Sequence, residues 1–218
     1  MKMNISISVL KKYVDDLIQK LFPNTMDAGN KVDIKHINMA LERCNYSFSH
    51  IKTKYYNYNN SLEFNYLNSD HFAMFLYYLS NSIWKDTKDD IIPTKLFYLN
   101  KIMHGLDLFY SVAMPDIFLL VHPVGTVLGN AHYENYFVCY QNCTVGADEE
   151  YPAFGTGVVL YAHSSMIGNC NIGSNVSFGA YSFIINADVP SNMTVLGLYP
   201  NHKIIPSKRN TINEIFLL

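Results

Sequence analysis

Three of the four histidines in the C-terminal half of the chain, His122, His132 and His163, lie in the region of interest, and their side chains can take a proton from a hydroxyl group near neutral pH. Residue type alone does not make any of them catalytic. A histidine on a strand is often exposed to solvent, and one that precedes a proline, as His122 does, is often a corner residue. Their role therefore depends on the elements that position them.

Composition excludes several other classes of function. The chain has 218 residues and a formal net charge of −2, and it has no basic cluster of the kind that binds nucleic acid. Neither a P-loop nor a GxGxxG motif is present, so nucleotide hydrolysis and dinucleotide binding lack support. Lysine and aspartate interrupt the apolar pattern of the N-terminus, which is therefore not a signal peptide. Residues 117–121, the longest apolar run near the middle, are too few to span a bilayer. Together these features predict a soluble cytoplasmic protein.

Four cysteines are present, and none belongs to a CxxC pair: Cys44, Cys139, Cys143 and Cys170. A zinc or disulfide role remains open for them. Small buried hydrophobic residues in a reducing compartment are the preferred interpretation, so no metal is expected.

The elements that position the histidines show a six-residue repeat. From Phe154 onward every sixth residue is apolar: Leu160, Met166, Ile172, Phe178 and Ile184. Upstream the repeat continues in another phase through Phe109, Pro115, Val121, Val127, Tyr133, Cys139 and Val145. A repeat of this kind predicts a β-helix, in which successive turns stack and bury a ladder of similar side chains.

The phase of the repeat slips once, between Val145 and Phe154. A six-residue step from Val145 reaches Tyr151, whereas the next ladder residue is Phe154. We expect residues 147–151 to loop out of the helix, and their three acidic residues suit an exposed loop. Loops that leave a rigid scaffold often carry function.

Before about residue 105, apolar residues recur at helical spacing instead. Helices are predicted over residues 10–21, ending at Pro23, over 34–43, from Asp70 as N-cap to Trp84, and over about 94–106. Residues 46–60 are predicted as a loop or a weak helix. The chain is thus divided into a helical N-terminal domain (1–105), a β-helix domain (106–205) and a C-terminal tail (206–218).

Several ordered motifs resemble the hexapeptide-repeat acyltransferases, and serine acetyltransferase in particular. They are HPVGTVLG at 122–129, VCYQNCTVG at 138–146, VPSNMTVLGLYP at 189–200 and, upstream, LFYLNK at 96–101. The resemblance implies an all-β left-handed parallel β-helix of three flat sheets, preceded by an α-helical domain. It also implies a homotrimer, and a hexamer built through the helical domain.

The resemblance implies a chemistry for the histidines as well. His122 would be the general base of acetyl transfer from acetyl-CoA to a hydroxyl group, in a ternary complex and without an acyl-enzyme. The family's acidic partner precedes its histidine at a spacing that corresponds to Asp107 here, and Asp116 is a rival. The partner would orient the imidazole and stabilise the imidazolium. His132 could line the acceptor pocket.

Acetyl-CoA would bind at the corners of the β-helix, between neighbouring subunits. The candidate cofactor residues are His163, Ser164 and Ala180 at the corners, and Lys203, Lys208 and Arg209 near the CoA phosphates. For the three basic residues a solvated tail is an alternative.

The acceptor is where this chain departs from the family. Glu150-Tyr151-Pro152 stands where the family has Arg-His-Pro, and a glutamate repels the carboxylate of serine. Val121 replaces the acid that precedes the family's histidine. With Glu150 and Tyr151 as acceptor-binding residues, a sugar or sugar derivative is the preferred acceptor. The alternatives are a serine O-acetyltransferase of cysteine biosynthesis and a non-catalytic hexapeptide-repeat protein used for assembly or binding.

Overall fold

The computed structural model describes residues 1–22, 31–58 and 61–217. Within these residues the N-terminal half contains the helices α1 (Ile7–Leu21), α2 (Ile34–Ser49), α3 (Ser69–Thr87) and α4 (Ile91–His104). The short strands β1 (Lys2–Met3), β2 (Asn57–Tyr58) and β3 (Ser61–Phe64) form a small sheet in the order β1-β3-β2. Pro23, expected to end the first helix, lies outside the described residues, as do residues 59–60 of the expected loop.

Helix α3 is the centre of the helical half. Its residues 71–83 are all buried, as expected for a helix that is enclosed on every side. Helices α2 and α4 pack against it. Helix α1 is amphipathic and buries a single stripe of Leu10, Val14 and Ile18. No helix among the described residues has the length and hydropathy needed to cross a bilayer.

The C-terminal half consists of very short strands and one short helix. The elements are β4 (Asp107–Leu108), β5 (Phe118–Leu120), β6 (Val127–Leu128), β7 (His132–Tyr133), β8 (Phe137–Cys139), β9 (Thr144–Gly146), β10 (Ala153–Phe154), β11 (Val159–Leu160), β12 (Ser165–Ile167), β13 (Asn171–Ile172), β14 (Ser177–Phe178), β15 (Phe183–Ile185), β16 (Met193–Leu196), β17 (Lys203–Pro206) and α5 (Thr211–Ile215).

These strands form three sheets that wrap into a left-handed parallel β-helix of about five turns, which confirms the predicted fold class. The strand orders are β13-β10-β7, β17-β16-β14-β11-β8-β5 and β15-β12-β9-β6-β4. Among the described strands of this half, all pairings between turns are parallel, and only β17 returns antiparallel along β16. Each turn therefore places its corners above those of the turn before.

The register explains the ladder and its slip. Met166 pairs with Ile184, which lies three six-residue steps later, so three such steps make one regular turn. Val145 pairs with Met166, which lies three residues beyond that count. The turn that contains residues 147–151 is therefore three residues longer than a regular turn. The predicted loop is thus an insertion at one corner, and the stacking on both sides of it continues undisturbed.

The prediction of which upstream residues form the buried ladder was wrong in part. Phe109 and Val127 are 39% and 40% exposed, and the interior is filled by Leu108 and Leu128 instead. The physical reason is turn length. The turn from Asp107 to its partner Val127 exceeds three six-residue steps by two residues, and the turn from Val127 to Thr144 falls short of them by one. Counting in strict steps of six residues therefore no longer selects the buried positions in these turns.

Candidate active site

His122 lies at a corner that is longer than its counterparts in the next turns. Leu120 and Val127, which flank this corner, are seven residues apart. Their partners one turn later, Cys139 and Thr144, are five apart, and the next two turns also have five. The two extra residues push the chain outward, and the His122 side chain is 74% exposed.

The backbone at this corner shows which residues are the extra ones. Gly125 and Asn142 both have left-handed φ angles, +72° and 56°, and both lie two residues before a paired strand position. Gly125 packs so closely against Asn142 that an added Cβ would lie 2.2 Å from the amide oxygen. Because Gly125 takes the regular corner position, His122 and Pro123 form the protruding part of the corner.

The carboxylate beside His122 comes from the helical half and was not among the predicted site residues. Asp70 accepts a hydrogen bond from the His122 backbone N–H at 3.1 Å. Its second oxygen lies 3.7 Å from His122 Nδ1, close enough for charge attraction but long for a hydrogen bond. The Asp70 side chain is only 15% exposed.

Asp70 is available for this contact because it is not the N-cap of α3. That role belongs to Asn68, whose side-chain oxygen accepts from the N–H groups of Asp70 and His71. The predicted N-cap was therefore wrong by two residues. An acid in the first turn of a helix that begins with a better cap was the one sequence signal that could have identified Asp70.

Burial raises the pKa of Asp70 above its usual value, and the backbone N–H and imidazole of His122 oppose that shift. A carboxylate held at a helix N-terminus and next to an imidazole is suited to stabilising a developing imidazolium.

The predicted pairing of Asp107 with His122 is not formed in this structure. Asp107 accepts a hydrogen bond from Lys101 Nζ at 2.6 Å, and no ion pair or hydrogen bond joins it to His122 within the described ranges. The rival, Asp116, lines a different groove with Arg43 and Glu42. The catalytic role proposed for Asp107 stays a prediction, and Asp70 is the acid that the fold brings to His122.

A cavity of about 380 Å³ opens beside His122 and Asp70. Its other lining residues are Thr53, Tyr55, Tyr56, Asn68, Ser69, Leu119, Val121, Tyr140, Glu214 and Ile215. The walls combine aromatic and aliphatic side chains with two carboxylates, those of Asp70 and Glu214. Neither lysine nor arginine is among the described residues that line it. Such a cavity suits a small acceptor that carries a hydroxyl and a positive charge.

The predicted acceptor residues lie elsewhere on the same chain. His132 forms an ion pair with Glu134 at 3.0 Å on a different sheet. Glu150 lines an acidic cavity with residues of the 147–151 loop and of later turns. The Tyr151 ring packs over Gly129, where an added Cβ would lie 2.4 Å from it. Within one chain, none of the three lines the cavity beside His122.

The predicted cofactor residues follow the same edge of the β-helix as His122, turn by turn. The His163 ring stacks on Tyr181, with centroids 4.5 Å apart and planes 3° apart. Ser164 is buried, and its hydroxyl donates to the Tyr161 carbonyl oxygen at 2.7 Å. Ala180 is exposed at the next corner. Their roles stay predictions.

The three predicted basic residues follow the last turn of the β-helix. Lys203 lies in the exposed strand β17, and Lys208 is exposed in the following segment. Arg209 Nη1 lies 4.0 Å from Glu214 Oε2. Among the described residues, no group of three or more His, Cys, Asp or Glu side chains is arranged to hold a metal ion.

No protein-family model matches the chain. Individual relatives do match. A serine acetyltransferase of Synechococcus elongatus is 31% identical over 114 residues, which cover 50% of this chain and 46% of the relative. One from Staphylococcus epidermidis is 25% identical over 150 residues, covering 66% of this chain and 68% of the relative. The chain thus spans about half the length of the first relative.

Solved structures extend the likeness to the helical half. A Neisseria gonorrhoeae serine acetyltransferase superposes with a TM-score of 0.69 at 21% identity and covers 96% of this chain and 83% of its own. In sequence and in fold the chain is therefore similar to serine acetyltransferases. A serine acetyltransferase in complex with CoA, 16% identical, also superposes with a TM-score of 0.69 and covers 93% of this chain and 86% of its own. At these identities the structural likeness shows the fold alone.

Proposed function

We propose that this serine acetyltransferase-like protein transfers an acetyl group from acetyl-CoA to the hydroxyl of a small amino alcohol, the class of compounds to which serine belongs. The observation that carries the proposal is the protruding His122, which faces the mostly buried carboxylate of Asp70 at the mouth of a cavity. The relatives supply the donor, since a serine acetyltransferase has been solved with CoA bound.

The reaction needs one base and no covalent enzyme intermediate. With Nδ1 turned towards Asp70, the other imidazole nitrogen, Nε2, can take the proton of the acceptor hydroxyl. The oxygen attacks the thioester carbon, the C–S bond breaks, and the imidazolium returns the proton to the leaving thiolate. Asp70 stabilises the imidazolium that exists between these two proton transfers.

The relatives favour serine over the sugar acceptor that was predicted from the sequence. Asp70 supports this change, because its carboxylate lines the cavity and can bind an ammonium group in place of the acid that Val121 replaces. Glu150, whose charge argued against serine, lies in a separate cavity of the same chain. It therefore does not face the carboxylate of an acceptor bound beside His122 of its own subunit.

For acetyl-CoA we propose the corner residues His163, Ser164 and Ala180, and the basic residues Lys203, Lys208 and Arg209. The stacking of consecutive corners supports the first group, because it lines them up along the edge that begins at His122. For the basic residues the support is their exposure and charge.

We also propose that the chain assembles as a trimer through an apolar patch, defined here as Ile102, Met103, Phe109, Val124 and Val127. These side chains are 39% to 57% exposed and belong to α4 and to the first turn of the β-helix. A charged substitution in the patch, Val127→Asp, should give a monomer in light scattering coupled to gel filtration. A monomeric parent chain would refute the trimer. Pairing of trimers into a hexamer and a cytoplasmic location stay predictions.

The decisive experiment measures CoA release from acetyl-CoA with serine, with sugars and without an acceptor. We expect serine-dependent release, and a loss of at least about 100-fold in kcat for His122→Ala. His132→Ala removes another exposed imidazole from a different sheet, and its smaller effect would show that the loss belongs to His122. Full activity of His122→Ala would reject the mechanism, and no release with any acceptor would favour the non-catalytic alternative.

A further inference from the structure

The C-terminal residues 209–217, called here the strap, are built into the fold rather than solvated as a tail. On the β-helix side, Thr211 is buried and its hydroxyl donates to the Gly157 carbonyl oxygen at 2.8 Å. Its backbone N–H donates to the Asn175 side chain at 3.1 Å. Ile212 packs on Gly157, where an added Cβ would lie 2.6 Å from the isoleucine.

The other end of the strap is attached to the segment that follows α2. The Lys52 N–H donates to the Ile215 carbonyl oxygen at 3.0 Å, and the Leu217 N–H donates to the His50 carbonyl oxygen at 2.7 Å. Phe216 is 1% exposed and packs edge-on against Tyr136, with ring centroids 5.1 Å apart. The strap therefore connects the β-helix to the helical half.

This double attachment places Glu214 and Ile215 in the wall of the cavity beside His122. The cations on the strap and on the segment after α2 are Arg209, Lys52 and Lys54, and they interact only weakly with Glu214. Arg209 lies 4.0 Å away and both side chains are exposed, so their attraction is weak. Lys52 Nζ donates to the Asn213 carbonyl oxygen, and Lys54 lies over the Tyr55 ring at 5.4 Å.

Two carboxylates, Asp70 and Glu214, thus face one cavity that no described lysine or arginine lines. A negative field of this kind attracts an ammonium group and repels a carboxylate. Serine carries both groups, whereas an amino alcohol such as ethanolamine carries only the ammonium group.

We propose that Glu214 is a specificity-determining residue, which the strap contributes to the acceptor pocket and which favours amino alcohols that lack a carboxylate. The proposal rests on the proposed function, because it refines the acceptor of the same site. Glu214 takes no part in the proton transfer itself.

The test compares kcat/KM for ethanolamine and for serine, at saturating acetyl-CoA, in the parent chain and in Glu214→Gln. Removing the charge should lower the ratio of ethanolamine to serine by about 3-fold to 10-fold, because a half-exposed charge a few ångströms from the ligand is partly screened. The KM for acetyl-CoA should not change. Glu214→Asp, which keeps the charge, should keep most of the preference, and Glu42→Gln on the exposed face of α2 should keep all of it.

Binding is measured in parallel by titrating ethanolamine into the protein in a calorimeter, which needs no turnover. An unchanged ratio in an active Glu214→Gln variant that retains its melting temperature overturns the proposal and leaves the proposed function standing. Absence of CoA release by the parent chain with every acceptor rejects the proposed function. In that case, weaker ethanolamine binding by Glu214→Gln still supports the strap as part of a binding site, and equal binding overturns it.

Discussion

Replacing Asp70 by asparagine tests the central geometric finding, because the substitution removes a charge with almost no change of shape. The asparagine oxygen can still accept the backbone hydrogen bond from His122. What is lost is a negative charge 3.7 Å from His122 Nδ1. The imidazolium formed during proton transfer then loses its stabilising partner.

The expected loss of kcat follows from the distance between the Asp70 carboxylate and His122 Nδ1 and from the solvent exposure of the His122 side chain. Two unit charges about 4 Å apart attract by about 1 kcal/mol in water and by about 4 kcal/mol near a protein surface. Because His122 is largely solvated, the lower part of that range applies. A loss of about 1–2 kcal/mol corresponds to a decrease of about 5-fold to 30-fold in kcat. The KM for serine should also rise if Asp70 holds the ammonium group.

The assay is steady-state CoA release at saturating acetyl-CoA, with Asp107→Asn as the matched variant. Asp107 is paired with Lys101, so its replacement should reduce kcat less than Asp70→Asn does. If Asp107→Asn abolishes activity while Asp70→Asn stays within a factor of two of the parent chain, Asp70 is not the acidic partner of His122. The pairing expected from sequence would then form under conditions of turnover.

Three further predictions concern the scaffold. Phe178→Ala empties a fully buried position of the ladder and should lower the free energy of unfolding by about 3–5 kcal/mol, measured by urea denaturation; a loss below about 1 kcal/mol would contradict the ladder as the core. Deleting residues 148–150 restores the regular turn length and should leave the far-ultraviolet circular dichroism spectrum unchanged, whereas an unfolded product would show that the loop is structural. Burial lowers the pKa of His71 and of His104 to about 4 each, so the unfolded state binds more protons below about pH 6.5 and stability should fall from there to about pH 4. His104→Gln should show a smaller fall in urea midpoint between about pH 7 and about pH 4.5, and an equal fall would rule out His104 as a cause.

The sequence predicted the architecture best where the structure is periodic. Stacked turns bury equivalent side chains, so Leu160 to Ile184 show their spacing directly, and the slip before Phe154 marks the three-residue insertion. The same reasoning failed at Phe109 and Val127, because the first two turns are respectively longer and shorter than three six-residue steps. A periodic rule is reliable only while each turn has the same length.

The residues of the site were harder to predict from the sequence than the fold was. His122 was identified by the motif around it, and its protrusion follows from a local property, the two extra residues of its corner. Its carboxylate neighbour depends on how α3 packs against the first turn of the β-helix. Asp70 is 52 residues away in the chain, and no local pattern connects the two.

Spacing along the chain was sufficient to predict the scaffold: a β-helix with a helical half before it, a histidine at a corner and one inserted loop. These follow from short-range order, since each turn of a β-helix repeats the environment of the previous one. The groups that surround His122 could be identified only in the folded chain. Asp70 and Glu214 reach it through packing between the two halves and through the strap, and such contacts depend on the shapes of whole elements rather than on spacing along the chain.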